Sequence, residues 1–288
     1  MMLAKKICGL KGRSYTMINK VINLREKEIN GFMPTLTTYI MYDCMALEQN
    51  KEPKKRPAVI VCPGGGYGMR SLREAEPIAL QFLAAGFQAF VLDYCVSPIR
   101  YPESLKDASE AIKIVRQNAE EWGIDPNKIV VCGFSAGGHL AASIGTLWNS
   151  EPAVKCENEE NKPNALILSY PVIVWGDKAH KDSFYNLMGD GLSEEEYNKL
   201  SLEKRVSKDT PQTFLWHTFA DNCVPVENSL EFARALCEHK IPLEMHIYPH
   251  CGHGASLATE EMNEGDGVNM HNATWMRLAC EWIKEIFD

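Results

Sequence analysis

A chain of 288 residues, 45% of them apolar and 24% charged, can build a continuous core and is too apolar for an intrinsically disordered protein. Its formal net charge of −8, with lysines and arginines scattered rather than striped, argues against nucleic acid and anionic membrane as partners. Residues 51–56 are the only local basic cluster and read as a solvated loop.

The first six residues lack the long apolar stretch of a signal peptide, and no apolar run is long enough to span a bilayer. The expectation is a cytoplasmic protein whose ten cysteines, Cys8 and Cys156 among them, stay reduced. No C-x-x-C pair supplies zinc-ligand spacing. Cys62 and Cys132 fall in apolar strand runs, where cysteine acts as a small hydrophobe.

In chain order, 16–24 and 37–44 read as two strands joined by a loop holding Gly31 and Pro34. Strands and helices then alternate. Residues 58–62 form a buried strand followed by a glycine-rich loop, 75–85 a helix closed by Gly86, and 87–94 the next strand. The 104–122 helix carries an apolar stripe of Leu105, Ala108, Ala111, Ile112, Val115 and Ala119 at helical spacing. After a strand at 128–132 and a helix-like run at 138–144, the polar stretch 151–164 reads as a surface connection. Strands follow at 165–174, 213–218 and 243–248, with helices at 226–239 and 271–287. The last helix places Trp275, Leu278, Ala279, Trp282, Ile283 and Ile286 on one face. Ser193 begins a helix within the charged stretch 182–210. The alternation implies one α/β domain with a mostly parallel sheet of about eight strands, helices on both faces and antiparallel strands at one edge. Residues 176–211 exceed a usual connection and suggest a lid or pocket wall; a passive surface excursion is the equal alternative.

Gly133-Phe134-Ser135-Ala136-Gly137 sits between the strand at 128–132 and the helix-like run. A serine between spaced glycines at a strand-to-helix turn has the form of a nucleophile elbow. Its residues two before and two after must be small, and the amide of Ala136 at the helix start can face a developing oxyanion. Such a serine needs a base, an orienting acid and an oxyanion hole. Asp221, in the loop after the 213–218 strand, is the candidate acid, although turn aspartates are common. His253, bracketed by Gly252 and Gly254 after the 243–248 strand, is the candidate base, with His250 as competitor. His139 reads as a packing residue and His217 as a support for the acid loop; His180, His239, His246 and His271 read as surface or packing residues. Pro63-Gly64-Gly65-Gly66-Tyr67-Gly68 follows the 58–62 strand, and its consecutive glycines let amides converge on one point. A phosphate loop is disfavoured, because no Gly-Lys-Ser/Thr ending follows. Arg73, Glu74 and Glu76 are expected to brace this loop by ion pairs.

Four such elements in the order glycine loop, serine, acid, histidine resemble the α/β-hydrolase esterases related to the hormone-sensitive lipase branch, and within them the bacterial acetyl-xylan-esterase-like group. The residues that carry the resemblance are 63–67, 133–142, 169–172, 216–218 with Asp221, and 253–254. Proline stands where many lipases have the histidine that opens the glycine motif. The resemblance implies the α/β-hydrolase fold, Ser135 as nucleophile, His253 as base, Asp221 as acid, and the amides of Gly65, Gly66 and Ala136 as the oxyanion hole. It implies a small acylated sugar as substrate, acetyl above all, with no metal or organic cofactor; homo-oligomerisation stays open. Tyr67, Tyr170, Trp175 and Trp216, with Tyr94, lie near strand ends and would form a sugar-stacking wall, although aromatics there serve core packing more often. An amide hydrolase of the arylformamidase type and a general short-chain carboxylesterase are the alternatives.

Overall fold

Eight strands form a single sheet in the computed structural model, which describes residues 17–150, 153 and 157–288. The opening residues 1–6, Cys8, Thr16, Cys156 and most of 151–156 lie outside the described residues. The strands are β1 (Val21–Asn23), β2 (Thr35–Tyr39), β3 (Arg56–Cys62), β4 (Gln88–Asp93), β5 (Ile124–Phe134), β6 (Ala165–Ser169), β7 (Gln212–Thr218) and β8 (Leu243–Tyr248). Their spatial order is β1-β2-β4-β3-β5-β6-β7-β8. β1, β2 and β4 pair antiparallel, and all pairs from β4 through β3 to β8 are parallel.

The parallel strands are apolar on both faces because helices cover both faces. In β5, Ile129 and Val131 enter one core layer, and Val130, Cys132 and Phe134 the other. This is the two-residue period of a strand applied to a sheet with no wet side. Helix α2 (Glu76–Ala84) and the C-terminal helix (Thr274–Phe287) close one layer through Phe82, Trp275 and Trp282. The other is closed by α3 (Glu103–Gln117), α4 (Ala136–Leu147) and a helix at Glu227–Glu238, through Ile112, Leu140 and Phe232. Each such fully buried side chain contributes about 1.5–3 kcal/mol relative to exposure. Burial also pushes the thiols of Cys62 and Cys132 up, as for cysteines used as hydrophobes.

The expected elements appear, with several boundaries moved. The 16–24 strand contracts to β1, with Ile18 making only a bridge to Ile40. The 37–44 strand stops at Tyr39, because the Asp43 side chain accepts from Ala46 N and caps α1 (Cys44–Gln49), a helix absent from the sequence reading. The 165–174 strand stops at Ser169, where Tyr170 turns out of the sheet at φ 38. Within 176–211 the structure adds helix α5 (Lys181–Met188) to the expected helix α6 (Glu194–Asn198), which carries a Ser193–Glu196 capping box. Phe184, Leu187, Tyr197, Leu200 and Leu202 of this segment are buried in the α3–α4 core layer. No helix among the described residues is long and apolar enough to cross a membrane.

Candidate active site

Strand β5 ends at Phe134 and α4 begins at Ala136, so the whole turn falls on Ser135. Ser135 has φ 51 and ψ −117, a strained conformation for an L residue. It is held there by its neighbours: its N–H donates to Ser169 O at 3.0 Å, and its carbonyl accepts from Val172 N and His139 N, each at 3.0 Å. The flanking glycines follow from close approach. A Cβ on Gly133 would lie 2.1 Å from Gly137 O, and one on Gly137 would lie 2.1 Å from Cys62 O.

The loops after β7 and β8 bring Asp221 and His253 to this turn. His253 Nε2 is 2.7 Å from Ser135 Oγ, and His253 Nδ1 is 2.6 Å from Asp221 Oδ2. The other oxygen, Asp221 Oδ1, accepts from Cys223 N and Val224 N, both at 2.9 Å. His217, fully buried, faces Asp221 Oδ2 at 3.2 Å and Val224 O at 2.9 Å with the same Nε2, so that nitrogen carries the proton; its Nδ1 is 2.7 Å from Ser229 Oγ. Burial pushes the Asp221 carboxyl up, but the hydrogen bonds from His217, His253 and Val224 N outweigh it and hold the carboxyl well below the usual range. An anion so fixed orients the His253 ring and favours its cation. The competing His250 is exposed, and among the described residues only its backbone carbonyl is engaged, by Asn272.

The glycine loop lies against the serine: a Cβ on Gly64 would sit 2.8 Å from Phe134 O and 3.0 Å from Ser135 Cβ. Gly64 N donates to Glu74 Oε2 at 2.9 Å. The amides of Gly65, Gly66 and Ala136 have no partner among the described residues. Gly65 has φ +128, and a Cβ there would fall 2.3 Å from Met69 O. Glu74 thus braces the loop by accepting a hydrogen bond, and among the described residues the expected ion pairs of Arg73, Glu74 and Glu76 do not form. Buried Glu74 also takes the Tyr170 hydroxyl at 2.6 Å, Glu76 takes that of Tyr39 at 3.0 Å, and Arg73 donates to Met262 O and Asn263 Oδ1. Burial pushes the Glu74 carboxyl up.

The four aromatic residues expected to stack on a sugar are committed elsewhere. Trp216 is fully buried, stacked on Trp275 with its N–H on Ser169 Oγ. Tyr170 is buried edge-on beneath His253, its hydroxyl held between Glu74 and Ser256 N. Tyr67 is buried with its hydroxyl on His139 Nδ1 at 3.0 Å, and Trp175 stacks on Tyr197 at 4.1 Å while its N–H meets Glu194. Burying these rings removes a large apolar area from water while each polar atom named above keeps a hydrogen-bond partner.

His139 packs, as its helix position suggested. Its Nε2 donates to Leu200 O at 2.9 Å, tying α4 to the 176–211 segment. Burial lowers its pKa to about 4 from 6.5, against a smaller opposite effect of the Leu200 carbonyl. The unfolded chain therefore binds the extra proton between these values. This contribution to stability is complete above pH 6.5 and is lost as pH falls to about 4, amounting to about 3 kcal/mol. Urea melts at pH 7.5, 5.5 and 4.5 should show this loss, and His139→Gln should flatten it. The difference between the two proteins isolates His139 from Glu74, whose raised pKa acts in the opposite sense. Equal pH slopes would refute the assignment. Asp221, with its pKa lowered, loses its contribution only below about 3.8.

Two residues at the site were not singled out from sequence. Asn186 of α5 donates to Gly66 O at 2.9 Å, and His180, read as surface or packing, lies beside Gly66. Neither belongs to a local motif; only the fold of 176–211 over the glycine loop brings them there.

A parallel sheet with a strained serine at the turn after β5, a histidine after β8 and an acid after β7 defines the chain as an α/β-hydrolase. The BD-FAE family pattern matches residues 45–236. An endo-1,4-beta-xylanase B from Butyrivibrio fibrisolvens is 39% identical over 244 residues, which are 82% of this chain and 36% of that protein. An acetylxylan esterase from Xylanibacter ruminicola is 31% identical over 208 residues, 70% of this chain and 42% of that one. The chain thus spans well under half the length of either. The crystal structure of an acetyl ester-xyloside bifunctional hydrolase from Caldicellulosiruptor lactoaceticus superposes with a TM-score of 0.81 at 39% identity, covering 93% of this chain and 96% of that one. The chain belongs to the BD-FAE family of α/β-hydrolase esterases.

Proposed function

We propose that the protein is a serine carboxylesterase that removes small acyl groups, acetyl above all, from sugars such as acetylated xylo-oligosaccharides. The observation that carries this is the continuous hydrogen-bonded line Ser135 Oγ–His253–Asp221, at 2.7 and 2.6 Å. Ser135 Oγ attacks the acyl carbonyl while His253 Nε2 takes its proton. The unpartnered amides of Gly65, Gly66 and Ala136 receive the negative charge of the tetrahedral intermediate. His253 returns the proton to the departing alcohol, leaving an acyl-serine. A water that loses its proton to His253 then attacks the acyl carbonyl, and His253 passes that proton to Ser135 Oγ as the acid departs. Asp221 remains ionised throughout, as its lowered pKa favours.

The substrate class is supported by the names of the relatives, an acetylxylan esterase and an acetyl ester-xyloside hydrolase. The chain is read as one domain, since all eight strands join one sheet. Residues 176–211 are read as a pocket wall, since Asn186 holds the Gly66 carbonyl and Phe184 and Leu187 are buried. The test compares p-nitrophenyl acetate, butyrate and octanoate with acetylated xylose. Acetate should be the preferred acyl group, and acetylated xylose should be deacetylated. Preference for octanoate would favour a general carboxylesterase, and turnover of aryl formamides in place of esters would favour an amide hydrolase.

A further inference from the structure

His180 stands at the N-terminus of α5 and is half-buried. Its Cε1 lies 3.9 Å from where a Cβ on Gly66 would be, and Ser183 Oγ lies at the same distance from that point. The ring is fixed by its Nδ1, 2.8 Å from Ser183 Oγ, and Ser183 is itself buried. The helix that carries it is fastened to the glycine loop through Asn186 Nδ2 and Gly66 O at 2.9 Å, and Tyr101 N donates to Leu187 O at 2.7 Å. His180 Nε2, bonded to the carbon nearest Gly66, has no partner among the described residues. The ring is also near enough to His253 and Asp221 to feel both charges, and burial followed by His253 lowers its pKa, which favours the neutral ring.

We propose that His180 is a specificity-determining residue that hydrogen-bonds, through Nε2, a hydroxyl on the alcohol side of the ester. The ring is held through Nδ1, with Cε1 beside the loop proposed to hold the acyl oxygen, which leaves Nε2, bonded to that carbon, free for the groups flanking the reacting ester. The Nδ1–Ser183 contact permits either tautomer, which makes Nε2 a donor in one and an acceptor in the other. A hydroxyl is both donor and acceptor and satisfies either. A carboxylate or phosphate is satisfied only by a donor and would stand near the Asp221 anion. The ligand class is therefore a polyol or sugar in which a free hydroxyl neighbours the acylated one. This assignment deepens the esterase reading and rests on it.

The test measures kcat and KM of wild type, His180→Leu and His180→Gln on a mono-acetylated methyl xyloside, which has free neighbouring hydroxyls, and on p-nitrophenyl acetate, which has none. Thermal melts establish that each variant is folded. In His180→Leu, kcat/KM for the xyloside should fall at least about tenfold further than for p-nitrophenyl acetate, the order expected for one hydrogen bond to a substrate hydroxyl. His180→Gln, which keeps a polar group there, should recover part of the difference. Equal losses on both substrates would overturn the proposal and make His180 a support for the glycine loop. No loss on either would overturn it as well. Failure of the esterase reading looks different: wild type itself would then leave both esters intact.

Discussion

Ser135→Ala is expected to lower kcat for p-nitrophenyl acetate by about 10⁴- to 10⁶-fold while the protein remains folded. Among the described residues the Ser135 side chain makes one hydrogen bond, to His253 Nε2, and alanine keeps the Cβ. The strained φ of 51 is imposed by the backbone bonds to Ser169, Val172 and His139, none of which involves the hydroxyl. Alanine can therefore occupy the turn, and the melting temperature should move by a few degrees at most. Residual turnover would come from binding and from the amides of Gly65, Gly66 and Ala136 acting on a water-driven reaction. A folded Ser135→Ala protein that keeps a tenth of wild-type activity would remove Ser135 from the mechanism.

Asp221→Asn should cost about 10³- to 10⁴-fold in kcat, although it changes only one atom of the carboxyl. The reason lies in the donors around it. Cys223 N and Val224 N both point at Oδ1, so the amide oxygen must take that position. The amide NH₂ is then forced to the Oδ2 side, where it meets His253 Nδ1 and the protonated His217 Nε2. His253 can accept from it only by moving its own proton to Nε2, which then faces Ser135 Oγ as a donor and is no longer a base. Loss of the anion also removes the charge that favours the His253 cation. The defect should appear in kcat with little change in fold, and a kcat within tenfold of wild type would show that Asp221 does not orient His253.

Much of this site was legible along the chain because its constraints are local. The elbow requires small residues at Gly133 and Gly137, since Cβ atoms there would overlap Gly137 O and Cys62 O, and that requirement is written as a five-residue pattern. The strands of the sheet interior announce themselves as short apolar runs, because both faces are covered by helices. Asp221 and His253 could be chosen because a parallel sheet places successive loops at the same edge, so position in the strand order stands in for distance.

Legible in the sequence by itself are the candidate residues for the proposed chemistry and their order: a serine at the strand-to-helix turn after β5, an aspartate after β7, a histidine after β8 and a glycine run after β3. Only the tertiary structure shows which neighbours surround those residues. The Tyr67, Tyr170, Trp175 and Trp216 rings are buried in the core, where removing their large apolar area from water is favourable. The fold gave Glu74 a buried role through Gly64 N and the Tyr170 hydroxyl, and it laid 176–211 over the glycine loop so that Asn186 and His180 reached it. Apart from the ten-residue span from Gly64 to Glu74, those placements depend on contacts between residues far apart in the chain, which no local spacing encodes.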